Sequence, residues 1–119
     1  MAWDLKNDRP IYLQLMEQLK HRIIVGIYPA GSKIPSVREL AAEAAVNPNT
    51  MQKALSELER EGLVFSNRTS GRFITEDTEM IQKTKMELAK EQLTVFLAQM
   101  EKLGFSKEEI VKLLESHSS

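Results

Sequence analysis

The chain has 119 residues, a formal net charge of −1 and 42% hydrophobic residues, and it contains no cysteine. This length and apolar content suit one small packed domain with an appendage and argue against wholesale disorder. The missing cysteines exclude disulfides and thiolate metal sites, and no apolar run has the length of a transmembrane helix or forms a secretory signal. We therefore expect a cytoplasmic protein without membrane contact, whose near-neutral charge argues against indiscriminate binding of nucleic acid.

A first helix is predicted from about Pro10 to Val25, because apolar residues recur there at helical spacing. They form a stripe that should pack against the helices that follow. Trp3 precedes this helix and is expected to be a packing anchor rather than a stacking platform for bases. The stripe consists of Tyr12, Met16, Leu19 and Ile23.

Two short helices joined by a tight turn are predicted between residues 35 and 62. Ser36 can cap the first helix, and Glu39 can return a hydrogen bond to the Ser36 amide. Asn47 or Asn49 can cap the second helix, and Gly62 provides its end. A helix, a turn and a second helix with polar residues at its start is the arrangement that places a helix in the major groove of DNA.

The polar side chains in the first turns of the second helix favour DNA as the partner. Asn49 and Gln52 carry amides that can pair with the major-groove edge of adenine. Thr50 and Lys53 suit phosphate oxygens, which fix the position of a protein without reading sequence. A merely solvated helix face is the alternative. The buried stripe of the same helix would be Met51, Ala54, Leu55 and Leu58.

A basic β-hairpin is predicted directly after the second helix, over residues 63–75. Arg68 and Arg72 flank its turn, where a guanidinium would reach the minor groove or the phosphates beside it. Gly71 can adopt a positive φ and let the backbone approach a partner closely. Residues 33–34 could add a brief third strand. Two helices and a basic hairpin are typical of a winged helix-turn-helix, and an ordinary surface hairpin with solvated arginines is the alternative.

Several linked motifs occur in order over about residues 3–76. They are Arg9-Pro-Ile-Tyr-Leu-Gln-Leu, Pro29-Ala-Gly-Ser-Lys-Ile-Pro35, Pro35-Ser-Val-Arg-Glu-Leu-Ala, Asn47-Pro-Asn-Thr and Ala54-Leu-Ser-Glu-Leu-Glu-Arg-Glu-Gly-Leu63. Together they resemble the GntR family of bacterial transcription regulators. The short remainder resembles the YtrA-like branch, whose C-terminal part is a two-helix dimerisation unit rather than a large ligand domain.

The resemblance implies a set of DNA contacts that begins in the first helix of the motif. Arg38 lies near the start of that helix and is implied to read a base directly, since arginine is the commonest partner of guanine. Ser36 and Asn47 are included in the same contact set. An arginine on the helix surface that pairs with Glu39 or Glu43 is the alternative for Arg38.

Two departures from the family pattern bear on the bases that are read. Many relatives carry arginine where this chain has Pro48, so one candidate for a guanine contact is absent. In the hairpin, Thr69 replaces a glycine of the usual wing, and Arg72 is an additional arginine. The chain keeps a wing, but the detailed contacts of relatives do not transfer to it.

A long helix is predicted after residue 76, because the chain has no glycine or proline from there to Leu103. Its apolar residues repeat at spacings of three and four, which is the a/d seam of a coiled coil. Gly104 ends this helix, and Ser106 with Glu109 forms a second capping box for a short amphipathic helix. The seam consists of Met86, Ala89, Leu93, Phe96, Met100 and Leu103, and a second row consists of Ile81, Leu88 and Val95.

These two C-terminal helices predict a homodimer, because the short helix cannot cover both apolar rows of the long one. A helical hairpin docked on its own N-terminal domain is the alternative. The interface is predicted to include Ile81, Leu88, Leu93, Val95, Phe96 and Met100.

The predicted fold is mainly α with a small β-hairpin: a winged helix-turn-helix DNA-binding domain at 1–76 and a helical dimerisation region at 77–119. A two-fold dimer presents two reading helices, so we expect a sequence-specific transcription regulator, a dimeric repressor on a near-palindromic operator near its own operon. The resemblance implies that such an operon often encodes an ATP-driven transporter. The alternative is a winged-helix adaptor that binds another polypeptide.

An enzyme is the least favoured class. No nucleophile–base pair, metal-ligand cluster or glycine-rich phosphate loop is recognisable, so we expect no catalysis, cofactor or metal. Glu57, Glu59 and Glu61 are interpreted as a solvated charge run on a helix. The residues after position 76 leave little volume for an enclosed pocket, and the existence of a small-molecule effector stays open.

Overall fold

The computed structural model describes residues 3–117. Its elements in chain order are α1 (Ile11–Ile24), α2 (Val37–Ala44), α3 (Pro48–Arg60), β1 (Val64–Asn67), β2 (Gly71–Ile74), α4 (Thr78–Lys102) and α5 (Lys107–Ser116). The predicted fold class, mainly α with one small hairpin, is confirmed. Two compact units, Met1–Lys85 and Met86–Ser119, divide within α4, whereas the domain boundary predicted from the sequence followed residue 76.

The core of the first unit holds α3 against α1 and α2. The apolar stripe predicted for α3 is confirmed, because all four of its members are 0% exposed: Met51, Ala54, Leu55 and Leu58. Three residues of the predicted α1 stripe are buried in the same cluster: Met16, Leu19 and Ile23. Leu15, which the stripe did not include, is buried there as well. Burial of one such aliphatic side chain stabilises a fold by about 1.5–3 kcal/mol, so this cluster fixes the orientation of α3.

The predicted capping signals define where α2 and α3 begin and where α3 ends. The Ser36 hydroxyl accepts the Glu39 amide at 3.2 Å, and the Glu39 carboxylate accepts the Ser36 amide at 3.0 Å. Asn47, and not Asn49, is the N-cap of α3, since its Oδ1 accepts the Asn49 amide at 2.7 Å. Gly62 follows α3 with a φ of 86°, a left-handed conformation that favours glycine, and it turns the chain into the hairpin.

β1 and β2 form a two-stranded antiparallel hairpin, which is the wing. Ser66 lies opposite Arg72, and Phe65 lies opposite Phe73. The third strand predicted at 33–34 is reduced to a single bridge from Lys33 to Phe73. This bridge attaches the wing to the segment that leads into α2.

The first turns of α4 belong to the first unit. Ile81 is 9% exposed and packs in the core cluster of that unit, and Thr84 is 8% exposed. The structure therefore corrects the assignment of Ile81 to the dimer interface, because its own chain already covers this side chain. The seven-residue spacing places Ile81, Leu88 and Val95 on one side of α4. It does not show whether that side packs against the same chain or against a second copy.

In the second unit, α5 follows α4 after a turn at Gly104. The Ser106 hydroxyl accepts the Glu109 amide at 3.2 Å, so the second capping box is confirmed. Ile110 is 2% exposed, but a group of large apolar side chains is 42–71% exposed in the single chain: Met86, Leu93, Val95, Leu103, Val111, Leu113 and Leu114. No helix within residues 3–117 is both long and apolar enough to cross a membrane.

Candidate nucleic-acid interface

The amino-terminal end of α3 presents amides on its exposed face. Asn47, Asn49 and Gln52 are exposed, and Thr50 is half-buried beside them. The side-chain carbonyl oxygen of Asn47 accepts the capping hydrogen bond, so the side-chain NH₂ group is the part of Asn47 that can face a partner. The Gln52 amide donates to the Ser56 hydroxyl at 3.1 Å, and its carbonyl oxygen stays available as an acceptor.

Lys53 stands on the same helix but lies against α1. Its ammonium nitrogen is 4.0 Å from the centroid of the Tyr12 ring, which is cation–π geometry. Lys53 is nevertheless exposed. The ring therefore restrains a long, flexible cation without removing it from solvent.

A groove of about 570 Å³ lies between the start of α2 and the turn of the wing. Arg38 lines it and is exposed. Within residues 3–117 this arginine forms no ion pair with Glu39 or Glu43, because Glu39 is occupied by the cap and Glu43 by Arg22. The ion pair that the alternative interpretation of Arg38 requires is thus not formed among these residues, and its contact with DNA stays a prediction.

Gly71 forms the opposite rim of this groove, where the chain enters β2. Its φ is 100°, and a Cβ atom there would lie 3.0 Å from the Cε atom of Lys33. A side chain at this position would strain the backbone and displace Lys33. The group that approaches the Gly71 backbone closely in this structure is therefore the side chain of Lys33, which lies beside the wing.

The structure places Arg72 against α3, whereas the sequence predicted a freely projecting wing arginine. Its Nε atom donates to Oε1 of Glu59 at 2.9 Å and its side chain is 18% exposed, and its contact with DNA stays a prediction. Arg68 is exposed at the turn, as predicted. The Asn67 carbonyl accepts the Thr69 amide at 3.1 Å and so shapes that turn.

The glutamates interpreted as a solvated charge run, two on α3 and one at its C-cap, are in fact paired. Each of them pairs with a cation: Glu57 with Arg60, Glu59 with Arg72, and Glu61 with Lys20. Sequence spacing along one helix could not reveal two of these partners, because they belong to the wing and to α1.

Sequence reasoning missed a buried arginine on α1. The guanidinium of Arg22 lies 4.2 Å from the Trp3 ring centroid and donates to Glu43 at 2.7 Å and to the Tyr28 hydroxyl at 2.8 Å. Trp3 also donates its indole N–H to Glu43, which confirms its prediction as a packing anchor. A signal was present, since Arg22 follows the buried Leu15 by seven residues and so lies on the same side of α1.

These features define a class of protein. A helix-turn-helix whose second helix exposes amides, followed by a hairpin and a groove lined by Lys33 and Arg38, is the architecture of a winged-helix DNA-binding domain.

Comparison with known proteins identifies the family. Residues 11–74 match the family described as "Bacterial regulatory proteins, gntR family". The chain is 42% identical over 107 residues to the uncharacterized HTH-type transcriptional regulator YhcF of Bacillus subtilis, which covers 90% of this chain and 88% of YhcF. It is 37% identical over 117 residues to the HTH-type transcriptional repressor YtrA of the same bacterium, and this alignment covers 98% of this chain and 90% of YtrA. The chain therefore belongs to the GntR family, and the resemblance to YtrA is confirmed.

Solved structures agree with this assignment. A GntR family transcriptional regulator from Listeria monocytogenes is similar with a TM-score of 0.87 and 36% identity, over 96% of this chain and 100% of that chain. AraR(DBD) in complex with operator is similar with a TM-score of 0.55 and 28% identity, over 63% of this chain and 94% of that chain. The chain is thus a DNA-binding transcription regulator.

Proposed function

We propose that the protein is a homodimeric repressor that binds a near-palindromic operator near its own operon, in the cytoplasm where that DNA lies. One observation carries this proposal. The exposed amides of Asn49 and Gln52 lie at the start of a helix whose opposite side is wholly buried. Such a helix can enter the major groove while its own domain holds it rigidly from behind.

Each predicted contact residue except Arg72 has a role in this arrangement. Asn49 and Gln52 read adenine, and Arg38 reads guanine from the groove beside the wing. The remaining contact residues position the domain on phosphates and sugars: Ser36, Asn47, Thr50, Lys53, Arg68 and Gly71.

The C-terminal helices supply the second copy. Leu93 is 51% exposed and Val95 is 58% exposed in the single chain. Phe96 and Met100 line an apolar groove of about 340 Å³ against α5. Together with Leu88 these side chains form the proposed dimer interface, and a two-fold dimer would present its reading helices to half-sites about 34 Å apart.

Repression agrees with the similarity to YtrA, which is a transcriptional repressor. A dimer that occupies both half-sites would exclude polymerase from an overlapping promoter. The resemblance to the YtrA-like branch extends the proposal to genes for an ATP-driven transporter.

DNA binding is tested by fluorescence anisotropy with inverted repeats taken from the DNA upstream of the gene. Arg38→Ala and Gln52→Ala should each lose about 1–3 kcal/mol on the true operator and less on scrambled DNA. Arg60→Ala is the matched control, because this arginine is 81% exposed at the far end of α3. Operator affinity that is equal in all three variants and the parent would refute the assigned face.

The oligomeric state is tested separately by sedimentation at micromolar concentration. Leu93→Lys should shift the protein to monomers, because it places a charge in the proposed apolar interface. Thr94→Lys is the control, since this exposed position lies about 100° around α4 from both Leu93 and Val95. A parent protein that sediments as a monomer would remove the dimer from the proposal but leave DNA binding by one domain intact.

A further inference from the structure

Two side chains of the wing converge on one carboxylate of α3. Ser66 and Arg72 lie directly opposite each other on β1 and β2, so both leave the same face of the hairpin. The Ser66 hydroxyl and the Arg72 Nε atom both donate to Oε1 of Glu59, the latter at 2.9 Å. The side chains of Arg72 and Glu59 are only 18% and 30% exposed, so water screens this ion pair less than an ordinary surface pair.

Charge and hydrogen bonding keep this pair closed. Burial raises the pKa of Glu59, but the hydrogen bonds from Ser66 and Arg72 and the charge of Arg72 outweigh it and leave the pKa below its ordinary value. The carboxylate is therefore ionised at neutral pH and neutralises the guanidinium. The Nε–H of Arg72 is therefore committed to Glu59, and a phosphate that approached the remaining N–H groups would meet a guanidinium whose charge is already paired with a carboxylate.

Glu59 lies on the side of α3 that also carries Gln52. The two residues are seven positions, about two turns, apart. Ser56 lies between them on that side and accepts a hydrogen bond from Gln52. A contact between Glu59 and the wing therefore fixes the angle between the wing and the helix that enters the major groove.

We propose that Glu59 and Arg72 are positioning residues, which together with Ser66 hold the wing at the angle at which its turn meets DNA, and that Arg72 makes no phosphate contact. Arg68, exposed at the turn, is then the wing arginine that binds DNA. This inference rests on the proposed function, because it places the wing relative to an operator.

The first test needs no DNA. Amide hydrogen exchange over residues 64–74 is compared in the parent, Glu59→Gln, Arg72→Ala and the matched control Arg68→Ala. Positioning predicts exchange that is roughly tenfold or more faster in the first two variants, the effect of one lost charge-assisted hydrogen bond, and unchanged in Arg68→Ala. Unchanged exchange in Glu59→Gln and Arg72→Ala would overturn the proposal, whether or not the protein binds DNA.

The second test is the salt dependence of operator binding. Arg68→Ala should lower the slope of log K against log salt concentration by about 0.9, because one phosphate contact is lost. Arg72→Ala should weaken binding about fivefold with an unchanged slope, since the wing is displaced but no phosphate contact disappears. A slope that falls by about 0.9 in Arg72→Ala would identify a phosphate contact and overturn the proposal.

The reversed pair, Glu59→Arg combined with Arg72→Glu, separates the two roles of Arg72. It restores the ion pair while it places a negative charge on β2. Positioning predicts that wing exchange and operator affinity return toward the parent values. A phosphate contact predicts that affinity stays lower than in Arg72→Ala, because the new carboxylate repels DNA, and this result would overturn the proposal. A parent protein that binds no operator would refute the proposed function, and hydrogen exchange would still decide whether the pair holds the wing.

Discussion

The ion pair between Arg22 and Glu43 should respond unequally to the loss of either partner. The Arg22 side chain is 6% exposed, whereas that of Glu43 is 44% exposed. Removing the carboxylate leaves a buried charge without its counter-ion, but removing the guanidinium leaves a carboxylate that water can hydrate. We therefore expect Glu43→Ala to destabilise the protein more than Arg22→Met, although both remove the same 2.7 Å contact.

The magnitudes follow from the surroundings of the two groups. Removal of one partner from a buried pair costs about 3–5 kcal/mol, and partial access of water to this site lowers the expectation for Glu43→Ala to about 2–3 kcal/mol. Arg22→Met loses a hydrogen bond to Tyr28 and a cation–π contact. It also removes Nε and Nη2 atoms that have no hydrogen-bond partner within the described part of the chain, so its net cost should be about 1 kcal/mol or less.

Urea unfolding followed by circular dichroism measures both values. Protein concentration must be held constant, because the stability of a dimer depends on it. Trp3→Phe is the control, since Glu43 also accepts the indole N–H, and it should cost about 1 kcal/mol. If Arg22→Met destabilises the protein as much as Glu43→Ala, burial of the guanidinium carries no net penalty and the reasoning is refuted.

Three further predictions concern the core, the reading helix and acid stability. Leu55→Ala should lower the free energy of unfolding by about 2–5 kcal/mol, because this side chain is 0% exposed; urea titration checks it. Tyr12→Leu should free the Lys53 ammonium and weaken binding to all DNA about two- to fivefold, from a cation–π contribution of about 0.5–1 kcal/mol; anisotropy with operator and scrambled duplexes decides. Hydrogen bonds from Arg22 and Trp3 hold the pKa of Glu43 below its ordinary value of 4.5, so the stability it contributes is present above pH 4.5 and is lost as pH falls through the lower, folded-state pKa. Acid titrations should show a smaller loss in Glu43→Gln, and identical curves would contradict this.

Structural features that depend on residues only a few positions apart could be predicted from the sequence. The capping box of Ser36 and Glu39 joins residues three positions apart, and the buried stripe of α3 repeats every three or four positions. Both depend only on the geometry of one helix, which the sequence determines locally. The wing was predictable for the same reason, because glycine and two short β-forming runs mark its turn and strands.

The structure departs from the sequence predictions, or adds to them, mainly where a side chain has a partner distant in sequence. Arg72 follows Glu59 by 13 positions, and Glu43 follows Arg22 by 21. Composition shows that such charges exist, but only the packing of one element on another decides which pairs form. Ile81 illustrates the same limit for an apolar residue. Its spacing from Leu88 and Val95 on α4 predicted a dimer contact, but the side chain is buried in the core cluster of the first unit.

The pairing of these charges also explains how a chain of net charge −1 can bind DNA selectively. Arg22 and Arg72 are committed to carboxylates, so neither adds to the field that attracts phosphate. Within residues 3–117, Lys33, Arg38 and Arg68 form no ion pair, and the first two line the groove between α2 and the wing. Such a small number of unpaired cations at the proposed interface gives weak attraction to any duplex. Under the proposed function, affinity for the operator comes mainly from amide contacts with bases and from simultaneous engagement of two half-sites.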